Sequence, residues 1–179
     1  MKRCTWMLAA LPCLSAAVSA QQDWKADFER QLPYLGHRNW ILIVDKAYPA
    51  QSAEGIDVFY TNDDIRNVTP YVLEQIDRAD HIRPVIYTDK ELEYMTDRDA
   101  AQVESLKNDY NELFGSYPRQ SILHGDVFPK IDSAARQFSI IILKTNTLIP
   151  YSSVFIELDC GYWDTKSEQA LRERIGRGG

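Results

Sequence analysis

Apolar and polar positions along the chain fall into alternating helical and extended blocks. Between Asp23 and Leu35, apolar residues at Trp24, Phe28, Leu32 and Leu35 share one helical face, and Pro33 should distort the last turn. Asn39 to Val44 predicts the first strand, apolar without a break from Trp40, as expected of a strand buried on both faces. Lys46 to Gly55 reads as a loop, and Ile56 to Tyr60 as a second strand. Thr69-Pro70 predicts a helix start, threonine capping and proline in the first turn, with Tyr71, Val72, Leu73 and Ile76 as the buried stripe. Ile82 to Tyr87 predicts a third strand in which Pro84 demands an edge or a bulge.

The second half continues the pattern. Asp97 to Leu113 predicts a polar helix with Ala101, Val103, Leu106 and Tyr110 inward, Ser121 to Leu123 a short strand, and Ile131 to Phe138 a helix. Ser139 to Leu143 and Val154 to Leu158 are the last two apolar strands, and from Asp164 the chain is polar and helix-prone. The alternation predicts an α/β fold: a single-domain sandwich with a central mixed or mostly parallel sheet flanked by helices.

The first 20 residues interrupt this picture. Lys2 and Arg3 precede an apolar run from Met7 to Val18 and the small residues Val18-Ser19-Ala20. This is the layout of a signal peptide, and the run is too short for a membrane span of about 20 residues. The expected organisation is a signal peptide over 1–20, a domain over 21–160 and a polar, partly helical tail over 161–179, with export to the periplasm or outside the cell after cleavage near Ala20. Cys4 and Cys13 would leave with the leader, and Cys160 alone forms no intramolecular disulfide.

Charge narrows the partners. The chain carries −6; losing Lys2 and Arg3 leaves 18 basic against 26 acidic residues, or −8. That balance disfavours nucleic acid, anionic lipid and phosphorylated substrates, and no membrane insertion is expected once the leader is gone. A neutral ligand fits better. The three histidines, His37, His81 and His124, lack the close spacing of a helical zinc motif, so no metal is expected. Ser152 and Ser153 lack the glycines of a nucleophile elbow.

The candidate chemistry lies at the ends of the apolar strands. His37 precedes the first strand and Asp45 follows it. Histidine exchanges protons near neutrality, and an aspartate beyond a strand accepts hydrogen bonds from hydroxyls. From spacing alone the bland readings are the commoner ones: His37 as a turn residue capping the preceding helix, Asp45 bonding its own backbone, and Tyr151 as a half-buried aromatic. His81 reads as a satisfied edge residue. His124-Gly125-Asp126 reads as a turn with Asp126 starting the next helix, or as a ligand contact.

Leu35-Gly36-His37, Asp45 eight residues on, and Ala47-Tyr48-Pro49-Ala50 together resemble the ribose pyranase and fucose mutarotase family. Ile149-Pro150-Tyr151-Ser152-Ser153-Val154 is similar to that family's Pro-Tyr-small-Asn segment. The similarity runs roughly from Asp27 to Leu158. It implies interconversion of anomers or ring forms of a free monosaccharide, without metal or cofactor, by a homo-oligomer with sugar sites near subunit contacts. It also implies His37 as the catalytic acid–base residue, with Asp45, His124, Tyr151 and Ser153 contacting the sugar. Two departures stand inside the motifs: Ser153 replaces an asparagine, and Lys144-Thr145-Asn146-Thr147 replaces an Arg-small-Gly-Glu turn. The leader is a third, because the better-known members act in the cytoplasm. A monosaccharide-binding protein without turnover is the alternative reading.

Overall fold

A computed structural model describes residues 23–177. The expected leader over 1–20 lies outside the described residues. Helix α1 (Trp24–Gln31) opens on Asp23, whose carboxylate accepts from the Lys25 and Ala26 N–H groups, and Pro33 tightens its end into a 3-10 turn over Leu32–Tyr34. Six strands follow in the chain: β1 (Trp40–Val44), β2 (Ile56–Tyr60), β3 (Ile82–Asp89), β4 (Arg119–Ile122), β5 (Ile140–Lys144) and β6 (Val154–Cys160). They form one mixed sheet in the order β2-β5-β1-β6-β3-β4. β5 is parallel to β1 and β2, and β4 is parallel to β3. Only β6 is reversed, antiparallel to both β1 and β3.

That single reversal decides where polar groups gather. The C-terminal ends of five strands and the N-terminal end of β6 share one edge of the sheet, here the upper edge. The starts of those five strands and the end of β6 share the lower edge.

The sheet is covered on both faces. Strand β1 alternates Ile41 and Ile43 towards one core, and Trp40, Leu42 and Val44 towards the other. The first core packs under α1, α2 (Ile65–Asp77) and α4 (Val103–Leu113), the second under α5 (His124–Ala135). All five residues of β1 are buried, as its apolar run requires.

Several boundaries differ from expectation. Helix α2 begins four residues before Thr69, capped by Asp64, whose carboxylate accepts from the Arg66 N–H at 2.9 Å. Pro70 therefore lies inside the helix and removes one backbone bond, a cost carried by the buried row Ile65, Val68, Thr69, Val72, Leu73 and Ile76. The Thr69 hydroxyl donates back to the Ile65 carbonyl (2.7 Å) rather than capping forward. The helix expected from Asp97 begins only at Val103, and a short helix α3 (Lys90–Tyr94) was not foreseen. Helix α5 starts at His124 itself, upstream of the expected boundaries. Pro84 does sit at a local edge: β4 pairs with β3 only from Ile86 onward, leaving that side of Pro84 free of a partner strand. A sixth helix, α6 (Thr165–Arg177), buries none of its residues. Among the described residues no helix is long and apolar enough to cross a membrane.

Candidate functional site

Four of the five residues singled out from the sequence stand together on the upper edge. Asp45 leaves the end of β1 and closes a turn: its Oδ1 accepts from the Ala47 N–H (2.7 Å) and the Tyr48 N–H (3.1 Å). Its other oxygen accepts from the Ser153 hydroxyl at 3.2 Å, and the Asp45 N–H donates to Ser153 Oγ at 3.3 Å. Ser153 thus locks the start of β6 to the end of β1. The turn-forming reading of Asp45 holds.

Tyr151 is presented by the loop before β6. It adopts a left-handed backbone, φ +57°, uncommon for a residue other than glycine and found where surrounding contacts over-determine it. Those contacts are visible. The Ser152 hydroxyl donates to the Ile149 carbonyl (2.7 Å), and the buried Tyr110 hydroxyl donates to the Ser152 carbonyl (2.6 Å). The Tyr151 ring stands edge-on to His124, centroids 5.3 Å apart. On its other side His124 meets Phe128, edge-on at 4.9 Å.

His124 opens α5, and two carboxylates hold it. Its backbone N–H donates to Glu91 (3.0 and 3.1 Å), and its Nδ1 lies 3.0 Å from Asp89 Oδ2. Asp89 ends β3, and its side chain is fully buried. Burial pushes its carboxyl up to about 6 although the His124 imidazole pulls it down, with Glu91 and Asp45 adding to the rise. Sequence reasoning missed Asp89. An aspartate closing a strand looks like a turn former, and the histidine it meets is 35 residues away.

His37 is elsewhere. Strand β1 is about 17 Å long at 3.3 Å per residue, so the histidine before it and the aspartate after it occupy opposite edges. His37 lies exposed in a tight turn tied to the sheet: the Asn39 side chain accepts from the Gly36 N–H (2.7 Å), and the Arg38 N–H donates to the Leu158 carbonyl (2.8 Å). Arg38 is also left-handed, φ +73°. With Tyr87, Gln120, Glu157 and Asp159, His37 lines a surface hollow of about 460 Å³. Partial burial would raise the Asp159 carboxyl, but the Arg83 guanidinium and the Cys160 N–H outweigh it and hold it below the usual range, helped by His37. Among the described residues no cluster of histidine, cysteine and carboxylates is arranged to hold a metal ion.

No family model matches the chain, and no curated protein matches it in sequence. Solved structures do. The Bacillus subtilis RbsD complexed with D-ribose superposes with a TM-score of 0.54 at 14% identity, over 75% of this chain and 92% of the other. A fucose mutarotase from Streptococcus pneumoniae in complex with L-fucose gives 0.51 at 14% identity, over 74% and 91%. The chain has the ribose pyranase and fucose mutarotase fold. The expected mixed sheet flanked by helices is the one observed.

Proposed function

We propose that the protein is a monosaccharide isomerase that exchanges anomers or ring forms of a free sugar at the upper edge of its sheet. The observation that carries the reading is the convergence of Asp45, Ser153, Tyr151 and His124 from three separate strand ends. They stand on a fold shared with structures that hold ribose and fucose. Asp45 Oδ2 and Ser153 Oγ accept and donate to sugar hydroxyls, and the Tyr151 ring lies against the sugar's apolar face. Ring opening needs one proton removed from the anomeric hydroxyl and one delivered to the ring oxygen. His37, by resemblance the acid–base residue, reaches this edge from a second copy of the chain, whose lower-edge hollow closes over the first copy's sugar. The working unit is therefore a homo-oligomer, exported after loss of its leader. The net acidity of the domain suits a neutral sugar rather than a phosphorylated one.

Anomer-exchange NMR on the chain without residues 1–20, across ribose, fucose, galactose and related sugars, tests the reading. At least one sugar should exchange faster than in buffer, with the gain lost in His37→Ala; unchanged exchange for every sugar ends it. The second reading, binding without turnover, draws on Ser153 in place of an amide and on the distance between His37 and the cluster within one chain. Saturable sugar binding with no added exchange would establish that one instead.

A further inference from the structure

Asp89 is the most costly side chain on the upper edge. It is a carboxylate with no exposed surface, yet only one of its oxygens has a hydrogen-bond partner: Oδ2 meets His124 Nδ1, and Oδ1 meets no donor among the described residues. Buried carboxylates are normally fully satisfied, because each unmet oxygen forfeits its hydration. A carboxylate kept under those conditions and spent on one imidazole nitrogen acts on that imidazole.

What it does follows from the ring chemistry. An ionised Asp89 accepts a hydrogen bond, so His124 carries its proton on Nδ1 and presents a bare lone pair at Nε2. Phe128 and Tyr151, both edge-on to the ring, fix its plane. With Nδ1 turned inward to Asp89, Nε2 turns outward, and it has no hydrogen-bond partner among the described residues. The ring is about one-third exposed, open to a ligand held by Asp45 and Tyr151.

We propose that His124 and Asp89 form a proton-transfer dyad, with His124 as a second catalytic residue and Asp89 as its positioning residue. This rests on the sugar-isomerase reading. In the opening step the anomeric O–H bond breaks and its proton passes to His124 Nε2. The C1–O5 bond breaks with its electron pair going to O5, which takes a proton from His37 of a second copy, and C1 becomes a carbonyl. Asp89 stabilises the imidazolium until closure on the other face returns the protons. The charged groups facing Asp89 are acidic on the cleft side, Asp45 and Glu91. On its other side, Glu93, Lys107 and Arg119 rim a hollow of about 300 Å³ that Asp89 also lines.

The test pairs a structural readout with a kinetic one. Two-bond proton–nitrogen NMR of the histidine-labelled protein should show His124 protonated at Nδ1, and Asp89→Leu should release it into a mixture of tautomers. Asp89→Asn keeps the shape, so it should fold, but its amide can turn an N–H towards Nδ1 and move the imidazole proton to Nε2. It should lower kcat for sugar exchange about tenfold or more with KM little changed, and His124→Gln about 10²-fold. In the wild type kcat should fall as pH drops through the range where Asp89 takes up its proton, and Asp89→Asn should lose that limb. If the wild type exchanges a sugar but His124 is protonated at Nε2, or if Asp89→Asn alters KM alone, the dyad is wrong and the sugar reading stands. If the wild type exchanges no sugar, both fall, and the tautomer then shows whether the Asp89–His124 contact itself is real.

Discussion

The two edges of the sheet are built in opposite ways from one strand. At the upper edge, side chains from the ends of β1, β3 and β4 and the start of β6 touch one another: Asp45 with Ser153, Asp89 with His124, His124 with Tyr151. At the lower edge His37 stands exposed in a backbone-tied turn over an open hollow. The proposed proton-transfer site draws groups from both, and β1 is too long to fold them onto each other. On the proposed reading, the reacting unit is then a pair of edges drawn from two copies of the chain. The upper edge is pre-organised by its own contacts, and the lower edge is free to dock.

Complementation between copies bears most directly on the two edges. His37→Ala removes the lower-edge acid and Asp45→Ala the upper-edge anchor, so each alone should cut sugar exchange by about 10²-fold or more. If the edges meet between copies, mixing the two variants after unfolding and refolding them together should restore exchange, because mixed assemblies contain sites with both residues intact. Restored exchange supports the two-edge site. Two inactive variants that stay inactive when mixed would mean that His37 and Asp45 must lie on the same copy.

A sharper prediction concerns the cost of the upper edge. The folded protein raises the Asp89 carboxyl above its ordinary value, chiefly by burial. Below the unfolded value, near pH 4, the group is protonated in both states and costs nothing. As pH rises through about 6 the folded state must ionise it, and the penalty is then complete. Asp89→Asn should therefore stabilise the fold by about 1–3 kcal/mol at pH 7.5 and by little at pH 4.5, as read by urea unfolding at the two pH values. Stability gained while exchange is lost marks a residue kept for chemistry. A loss of stability at pH 7.5 would make Asp89 a structural group.

How much of this the sequence disclosed depends on how local each cause is. β1, β2 and α1 were legible because an apolar run, a short alternation and a helical apolar stripe each act within a few residues. The start of α2 was not, since Thr69-Pro70 carries a stronger local signal than Asp64, and only the buried row beneath the helix overrules it. Asp45, Tyr151 and Ser153 were legible through motif resemblance, and their contacts span 108 residues between Asp45 and Ser153. Asp89 was invisible: its partner is fixed by the adjacency of β3 and β4, which no short-range pattern encodes. The separation of His37 from Asp45 was implied by the strand between them, but a motif read as one unit hides the fact that its two ends face opposite ways.

The smallest expected effect compares the edges through their backbones. Each edge holds a residue in the left-handed region beside its key side chain, Arg38 next to His37 and Tyr151 in the loop before Ser153. A non-glycine residue there costs about 1 kcal/mol, which glycine relieves. Arg38 is exposed and its side chain offers only a distant stack, 5.9 Å over Phe138. Arg38 also lines the hollow beside His37, so Arg38→Gly should raise stability by about 0.5–1 kcal/mol in thermal unfolding and lower sugar affinity less than Tyr151→Gly does. Tyr151→Gly relieves the same strain but removes the ring beside His124. Its stability should change by less than about 1 kcal/mol, while sugar affinity falls about tenfold in titration by NMR. If both glycine variants leave affinity alone, Tyr151 is strained for a reason other than the sugar, and the upper edge loses one of its four contacts. If Arg38→Gly weakens exchange as much as Tyr151→Gly, the lower turn is as closely shaped for the sugar as the upper cluster, and the contrast between a prepared edge and a docking edge fails.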